Sequence, residues 1–441
     1  MNMEGITRML INFRFENVRS FYEETSFSLK ATSDKELQEI NTFHVKDNLI
    51  VDNEHELLKS IVIFGGNASG KSNVLKALAY MRNVISLSAS QLPIVQNNEP
   101  FAFYTDAEDK DSLFEVEFIQ NNTYYKYGFT VLKGIITKEW LYKRVERLSR
   151  VFERNQSNLE IMGLEKSATR LINVAPNALF LSIGRNFHLE IAPMLQDVMT
   201  WFQNLLIVFE NHANSLDIYT MENGKYKEKA LKILALADIG IKDIKVKKDK
   251  ILNMADINDV LRFNTQIQVQ PNAARGQIKQ EETSLFNIDM QTSFNVYDKN
   301  KKPKKQKQIM LLQDRGFNSE GTERLLLYLG WLLAALDQGR VILIDEIDAK
   351  LHFLVADYLI KLFNSIDKNP KNAQLICTAH NVMLMDEDLR RDQIYFTSKD
   401  EYGESRLVAL SDYKNVRKKD LFSKKYLAGF YAKLPNMNQD N

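Results

Sequence analysis

Cysteine is almost absent from this 441-residue sequence, which contains only Cys377, so no disulfide can form within the chain. That cysteine lies in an apolar run, which indicates a small buried side chain and fits a reducing, cytoplasmic compartment. Long apolar runs are also lacking, so neither a membrane span of about 18 residues nor a signal peptide is expected. Basic and acidic residues number 58 and 57, a formal net charge of +1. Nucleic acid could therefore bind only at a local basic patch.

Alternating and apolar segments predict the first elements of structure. Residues 9–31 predict two strands around a turn, and residues 60–64 predict a short buried strand. Residues 73–87 show the periodicity of a helix, and residues 101–145 predict an antiparallel meander.

The C-terminal third is regular in a different way. Residues 323–336 predict an apolar helix, 341–344 a buried strand, 351–363 an amphipathic helix and 375–378 another strand. Strands alternating with helices are typical of an α/β layer with a mostly parallel sheet. The fold class predicted by this pattern is therefore α/β.

The middle of the chain is less regular, although residues 201–209 and 227–236 predict helices and residues 264–312 predict strands and loops. The chain length favours two or three domains, or one large domain with an insertion. The predicted divisions are residues 1–150, an inserted mixed region over 151–300, and residues 301–441.

A glycine-rich segment follows the strand at 60–64 and fits the phosphate-loop spacing Gly-x4-Gly-Lys-Ser. Its residues, with the first helical residue, are Gly65, Gly66, Asn67, Ala68, Ser69, Gly70, Lys71, Ser72 and Asn73. Such a loop turns backbone N–H groups towards phosphate oxygens, and the following helix presents its N-terminus to the same anion. Lys71 would neutralise the phosphates of ATP, and Ser72 would bind magnesium. The alternative, a plain glycine-rich turn, is disfavoured by the flanking strand and helix.

Two acids, Asp345 and Glu346, end the strand at 341–344. The carboxyl ends of strands face the ligand crevice in open α/β sheets. Asp345 would hold magnesium, directly or through water, and Glu346 would accept the proton of an attacking water. The alternative is a strand that ends in a solvated acidic turn.

Histidines follow both C-terminal strands. Asp348 and His352 come soon after Glu346, and His380 stands just past the strand at 375–378. His380 could hydrogen-bond a γ-phosphate or the attacking water, or it could have only a structural role. His352 could simply cap its loop.

Ser319 and Gly321 stand just ahead of the helix predicted at 323–336. Ser319 could be an ordinary N-cap, or it could form an anion site with the helix N-terminus. Both interpretations can hold together.

The order of these motifs resembles that of ABC-class ATPases. The residues within the motifs are more similar to those of a prokaryotic SMC/RecF/OLD-like branch found in anti-phage defence operons. The segments that carry the resemblance are Leu10–Ala31, Gly65–Asn73, Asp345–His352, Arg390–Ile394 and Tyr426–Pro435. It covers most of residues 9–90 and 310–436 and is weak over 150–300. It implies an ABC-type P-loop head with a mixed sheet and an inserted helical and β region, binding ATP and Mg²⁺.

The resemblance also implies that Ser319 and Gly321 contact the γ-phosphate bound by another subunit. Two chains would then sandwich two ATP molecules, in a homodimer or a higher homo-oligomer. The residue between them is not the glycine of transporter signatures, which argues against a transporter subunit. No glutamine is assigned to magnesium sensing, although Gln91 and Gln96 are nearby. About 60 residues follow His380, too few for the TOPRIM nuclease domain of OLD proteins.

One basic cluster stands apart from these motifs. It comprises Lys299, Lys301, Lys302, Lys304, Lys305 and Lys307. It could contact the phosphate backbone of DNA or RNA, or it could be the solvated tip of a hairpin between residues 294–297 and 309–311.

Three functions fit the sequence. The first is a sensor or regulatory ATPase that acts with a separately encoded effector, as resembling proteins do in anti-phage defence. The second is a RecF-like DNA-repair or chromosome ATPase, although no useful heptad arm is found over 150–300. The third is an ATP-gated scaffold with little hydrolysis. The neighbouring gene in the same operon would discriminate between the first two.

Overall fold

The computed structural model describes residues 8–46, 49, 55–90, 92–184, 187–209, 221, 224–251, 285–311, 313–314, 316–414, 416 and 421–432. The chain divides into two compact units. The first comprises residues 1–208, 335–348 and 356–441, and the second comprises residues 209–334 and 349–355. The domain boundaries proposed near residues 150 and 300 stay a prediction. Gln91, Pro435 and residues 264–284 lie outside the described residues.

The strands are numbered in chain order. They are β1 (Arg8–Glu16), β2 (Thr25–Ser28), β3 (Thr42–His44), β4 (Glu56–Leu58), β5 (Ser60–Gly65), β6 (Ser112–Gln120), β7 (Thr123–Leu132), β8 (Ile135–Arg144), β9 (Leu148–Asn155), β10 (Asn158–Ile161), β11 (Leu206–Val208), β12 (Ile241–Ile251), β13 (Leu285–Tyr297), β14 (Pro303–Met310), β15 (Val341–Ile344), β16 (Gln374–Thr378), β17 (Ile394–Lys399) and β18 (Ser405–Ala409).

The α-helices follow in the same order. They are α1 (Gln38–Asn41), α2 (Lys71–Leu87), α3 (Lys166–Thr169), α4 (Phe180–Gly184), α5 (Ala192–Asn204), α6 (Gly224–Leu236), α7 (Glu320–Gln338), α8 (Phe353–Asn364) and α9 (Phe422–Leu427). None of the helices in the described part of the chain combines the length and apolar character needed to cross a bilayer.

A six-stranded sheet forms the centre of the first unit, in the order β11-β15-β16-β5-β17-β18. Its pairs are parallel except for β17 with β18, so the sheet is mixed. Every residue of β15 and β16 is buried, as expected for strands covered on both faces. The predicted α/β class with a mixed sheet is confirmed. Because β5, β15 and β16 are parallel neighbours, their carboxyl ends lie at one edge.

A seven-stranded antiparallel sheet accompanies it, in the order β10-β9-β8-β7-β6-β1-β2. It confirms the paired strands predicted over 9–31 and the meander from β6 to β8. Asn121 and Asn122 turn the first hairpin with positive φ, a conformation that asparagine tolerates. The meander begins at Ser112 rather than near residue 101, and β9 and β10 extend it beyond the predicted end.

The helix predicted over 201–209 is wrong beyond its first turn. Helix α5 ends at Asn204, and Leu206–Val208 forms β11, which pairs in parallel with β15. Leu206 and Val208 are buried in that pairing. A short apolar run fits a helix or a buried strand equally well, and here the contact with β15 decides.

The second unit contains α6 and a three-stranded antiparallel sheet in the order β12-β13-β14. Helix α6 confirms the helix predicted over 227–236. The pairing of β13 with β14 places the basic cluster on a hairpin whose turn is closed between Asp298 and Lys302. The hairpin interpretation of this segment is therefore confirmed.

A buried ion pair between β8 and β9 is hydrogen-bonded to the segment that follows the antiparallel sheet. Glu139 is fully buried and lies 3.8 Å from the guanidinium of Arg154. Its carboxylate accepts hydrogen bonds from the Tyr127 hydroxyl and from the backbone N–H groups of Phe180 and Leu181, at the start of α4. Burial raises the pKa of Glu139, and the guanidinium and the hydrogen bonds oppose that rise.

Replacing Glu139 by alanine should lower the free energy of unfolding by about 3–5 kcal/mol, because a buried guanidinium loses its counter-charge and three donors lose their acceptor. Glu153→Ala is the control, since this side chain is 48% exposed, and it should change stability by no more than about 0.5 kcal/mol. Urea unfolding followed by circular dichroism measures both. Equal stability of the two variants would contradict the structural role of Glu139.

Candidate functional site

The glycine-rich loop joins the end of β5 to the start of α2. Gly70 has φ +108°, a conformation that side chains strongly disfavour. A Cβ atom at Gly65 would lie 2.2 Å from the Thr397 hydroxyl, and that hydroxyl in turn contacts the Ser69 hydroxyl at 2.6 Å. The loop is thus packed so closely against β17 that glycine is required at Gly65.

Lys71 stabilises the turn of this loop through hydrogen bonds to its backbone. Its ammonium group donates hydrogen bonds to the carbonyl oxygens of Gly65 at 2.8 Å and Gly66 at 3.1 Å. The side chain is buried, and burial lowers its pKa, while the nearby carboxylates of Glu346 and Asp345 act in the opposite direction. A buried cation surrounded by backbone is the arrangement expected where an anion binds.

The side chains of Ser72 and Asp345 are in contact, although the two residues are 273 positions apart in the sequence. The Ser72 hydroxyl donates to Asp345 Oδ1 at 3.0 Å, and the Thr378 hydroxyl donates to the same oxygen at 2.7 Å. The Thr378 hydroxyl also accepts the N–H of Glu346 at 2.7 Å, and its carbonyl accepts the N–H of Ile347. Thr378, fully buried, therefore fixes both acids at the end of β15.

Glu346 and His380 form the second pair of the site. Glu346 has φ +54°, a strained conformation for a residue with a side chain, and its Oε1 lies 3.2 Å from His380 Nε2. The carboxylate of Asp348 accepts the backbone N–H groups of His380 at 2.9 Å and Asn381 at 2.5 Å. Asp348 therefore anchors the backbone that carries the histidine.

The phosphate-loop segment, Glu346 and His380 line one open cleft of about 450 Å³. Its lining residues are Asn67, Ala68, Ser69, Gly70, Lys71, Ser72, Asn73, Lys76, Glu346, His380 and Lys399. Sequence reasoning did not single out Thr378, Thr397 or Lys399. The signal for Thr378 was its place at the end of a predicted strand, two residues before His380.

Ser319, Gly321 and His352 belong to the second unit. The Ser319 hydroxyl accepts the N–H of Thr322 at 3.2 Å, so Ser319 does cap α7. A Cβ atom at Gly321 would lie 2.3 Å from the carbonyl oxygen of Lys350, so only glycine fits there. His352 Nδ1 accepts the N–H of Leu354, which supports the capping interpretation. A role for Ser319 and Gly321 at a partner's nucleotide stays a prediction.

A comparison with known protein families finds one that matches this chain. A family model described as "AAA domain, putative AbiEii toxin, Type IV TA system" matches residues 60–386, more than half of the chain. The comparison with curated proteins finds no match. One similar solved structure is described as "Structure of cbiO1 from Clostridium perfringens: Part of the ABC transporter complex cbiONQ", with 10% identity, 95% of each chain covered and a TM-score of 0.30. A TM-score this low carries no argument about fold or function.

Removing the Thr378 hydroxyl should disturb this site without disturbing the sheet. Thr378→Val keeps the shape but leaves the Glu346 N–H without its acceptor and Asp345 without one donor, a loss of about 1–3 kcal/mol. If the transition state loses this much stabilisation, ATP hydrolysis should fall about fivefold or more, since 1.4 kcal/mol corresponds to a factor of ten. Thr378→Ser keeps the hydroxyl and should retain most of the rate. Equal rates in the two variants would show that the hydroxyl does not position the acids.

Proposed function

The chain belongs to the AAA-domain family whose model it matches, and from this premise we propose that it is a magnesium-dependent ATP hydrolase. The observation that carries the proposal is the convergence of four groups from distant parts of the sequence. Ser72 lies against Asp345, and Glu346 lies against His380, beside one phosphate-loop cleft.

The donor set fits magnesium. In the described part of the chain, no group of three or more His, Cys, Asp or Glu side chains could hold a metal. Magnesium commonly binds through one or two protein oxygens, with phosphates and water completing its shell, and Ser72 and Asp345 offer such oxygens. When bound, the ion would neutralise phosphate charge and orient the phosphates.

The other residues would act on ATP and water directly. Lys71 would exchange its two carbonyl acceptors for phosphate oxygens, because a charged acceptor forms the stronger hydrogen bond. Glu346 would take a proton from water as the water oxygen bonds to the γ-phosphorus and the bond to the ADP oxygen breaks. His380, held through Asp348, would orient Glu346 or the γ-phosphate.

We further propose that two chains bind head to tail, with Ser319 and Gly321 of each contacting the ATP of the other. Ser319 immediately precedes α7, whose first turn carries two acids, Glu320 and Glu323. Glu320 is paired with Lys350 at 2.6 Å, which reduces its repulsion of an approaching phosphate. The dimer, or a higher homo-oligomer, is thus a proposal that rests on the order of motifs and on this helix start.

The biological setting is proposed from the family description, which refers to a toxin–antitoxin system and therefore to a pair of proteins. We propose that this ATPase is a sensor or regulatory subunit that controls a separately encoded effector in bacterial defence. The product of the neighbouring gene in the same operon tests this part. A toxin-like neighbour that copurifies in an ATP-dependent manner would support it, and a failure of the two proteins to associate would contradict it.

Glu346→Gln should slow hydrolysis by about 10²-fold or more, because the amide keeps the shape but accepts no proton. ATP should still bind, so filter binding of labelled nucleotide should be retained while phosphate release falls. Glu401→Gln, an exposed change elsewhere in the first unit, is the control and should leave both unchanged. Lys71→Ala should lose binding itself. Full turnover in Glu346→Gln would assign the general base to another group.

Ser319→Arg should leave ATP binding intact and abolish turnover, because the larger cation would block the helix start from a partner's nucleotide. Lys71→Ala should also be inactive. Mixing the two variants restores one complete composite site per mixed dimer, so partial turnover should return. The proposed dimer would be contradicted by normal hydrolysis in Ser319→Arg, or by a rate per chain that does not depend on protein concentration when the active species is a monomer.

A further inference from the structure

The basic hairpin, which comprises residues 297–307, plays no part in the proposed hydrolysis. It joins β13 to β14, and its turn is closed by hydrogen bonds between the backbones of Asp298 and Lys302. All of its lysines are exposed: Lys299, Lys301, Lys302, Lys304, Lys305 and Lys307. In a chain whose formal net charge is only +1, six cations within nine positions form a strong local excess.

The strand register distributes these cations around the hairpin. Lys305 pairs with Val296 and Lys307 with Phe294, so both lysines lie on the face that carries those apolar side chains. The register shifts between Val296 and Tyr297, which leaves Lys304 without a directly opposed residue on β13. The remaining lysines lie in or beside the turn. Positive charge is therefore spread over the turn and along one face of the adjoining strand.

Little negative charge compensates this cluster. Asp298 uses Oδ1 to accept the N–H groups of Asn300 and Lys302, and its Oδ2 lies 3.5 Å from Lys304 Nζ. Lys307 Nζ lies over the ring of Phe317, at 4.7 Å from its centre. Within the described ranges, no ion pair involves Lys299, Lys301, Lys302 or Lys305. These side chains are therefore available to a large anion.

We propose that the basic hairpin binds the phosphate backbone of duplex DNA. A two-stranded β-ribbon fits the major groove of B-form DNA, where phosphates line both sides, and the lysines of the turn and of the adjoining strand would meet them. The deep, narrow major groove of duplex RNA does not admit side chains in this way. A protein partner is disfavoured, because lysine is depleted from the buried cores of protein interfaces, whereas DNA interfaces are strongly basic.

The chemistry of the tip makes this binding independent of sequence. Lysine is a point charge without the planar fork with which arginine reads guanine, and the tip carries no arginine. Tyr297 is the exposed aromatic side chain at the start of the hairpin. The affinity should therefore depend on salt concentration and hardly on base sequence. This inference does not rest on ATP hydrolysis, because it concerns only the second unit.

The test compares two variants of the full chain. In one, Lys299, Lys301, Lys302 and Lys305 are replaced by glutamine. In the matched control, glutamine replaces four other exposed lysines, Lys229, Lys232, Lys368 and Lys371, so the change in net charge is the same. Fluorescence anisotropy with a short labelled duplex, without nucleotide, measures affinity over a series of salt concentrations. Thermal melting checks that both variants fold.

The wild-type chain and the control should bind duplexes of unrelated sequence equally well. The hairpin variant should bind at least about tenfold more weakly, and its salt slope should fall by about 0.9 for each lysine that contacts a phosphate. Equal loss in the control, or wild-type affinity in the hairpin variant, would overturn the proposal. So would tighter binding of duplex RNA, or binding of anionic lipid vesicles without binding of DNA. Lys71→Ala should bind DNA normally, whatever the outcome for ATP.

Discussion

The hydroxyl group of Thr378 is the contact on which the geometry of the cleft depends. It bridges the ends of two parallel strands by donating to the carboxylate of Asp345 and accepting from the N–H of Glu346. Because Thr378 is buried, no water can take over either hydrogen bond at low cost. Asp345 is thereby turned towards Ser72 at the start of α2. One side chain thus fixes the position of both acids relative to the phosphate loop.

This bridge also explains how Glu346 keeps a strained backbone. A residue with φ near +54° costs of order 1–3 kcal/mol unless its surroundings hold it there. The hydroxyl of Thr378 accepts the N–H of Glu346, and the backbone carbonyl of Thr378 accepts the N–H of Ile347. In this conformation the Glu346 side chain contacts His380. The local backbone conformation and the proposed role as general base are therefore linked.

The sequence predicted the parts of the site that are local. Gly65–Ser72 carries its own conformational requirements, and the rule that parallel strands end at one edge brought Asp345 close to it. Thr397, which packs against the loop, and Lys399, which lines the cleft, could not be found in the same way, because they come close to the loop only through the pairing of β17 with β5. The error over 201–209 has the same origin, since β11 exists only because β15 lies beside it. The local sequence pattern predicts which segments form helices and strands, whereas the order of the strands in the sheet decides which distant residues become neighbours.

Two buried charged residues in the first unit differ in how their hydrogen-bonding capacity is used. Glu139 is surrounded by a guanidinium, a hydroxyl and two backbone N–H groups, so its hydrogen-bonding capacity is used within the fold. Lys71 has two neutral carbonyl acceptors from its own loop, and burial lowers its pKa. Neutral acceptors only partly offset the cost of burying a cation, and an incoming phosphate would offset it more fully. The loop therefore favours an anion in its cleft, whereas the Glu139 network has no such need.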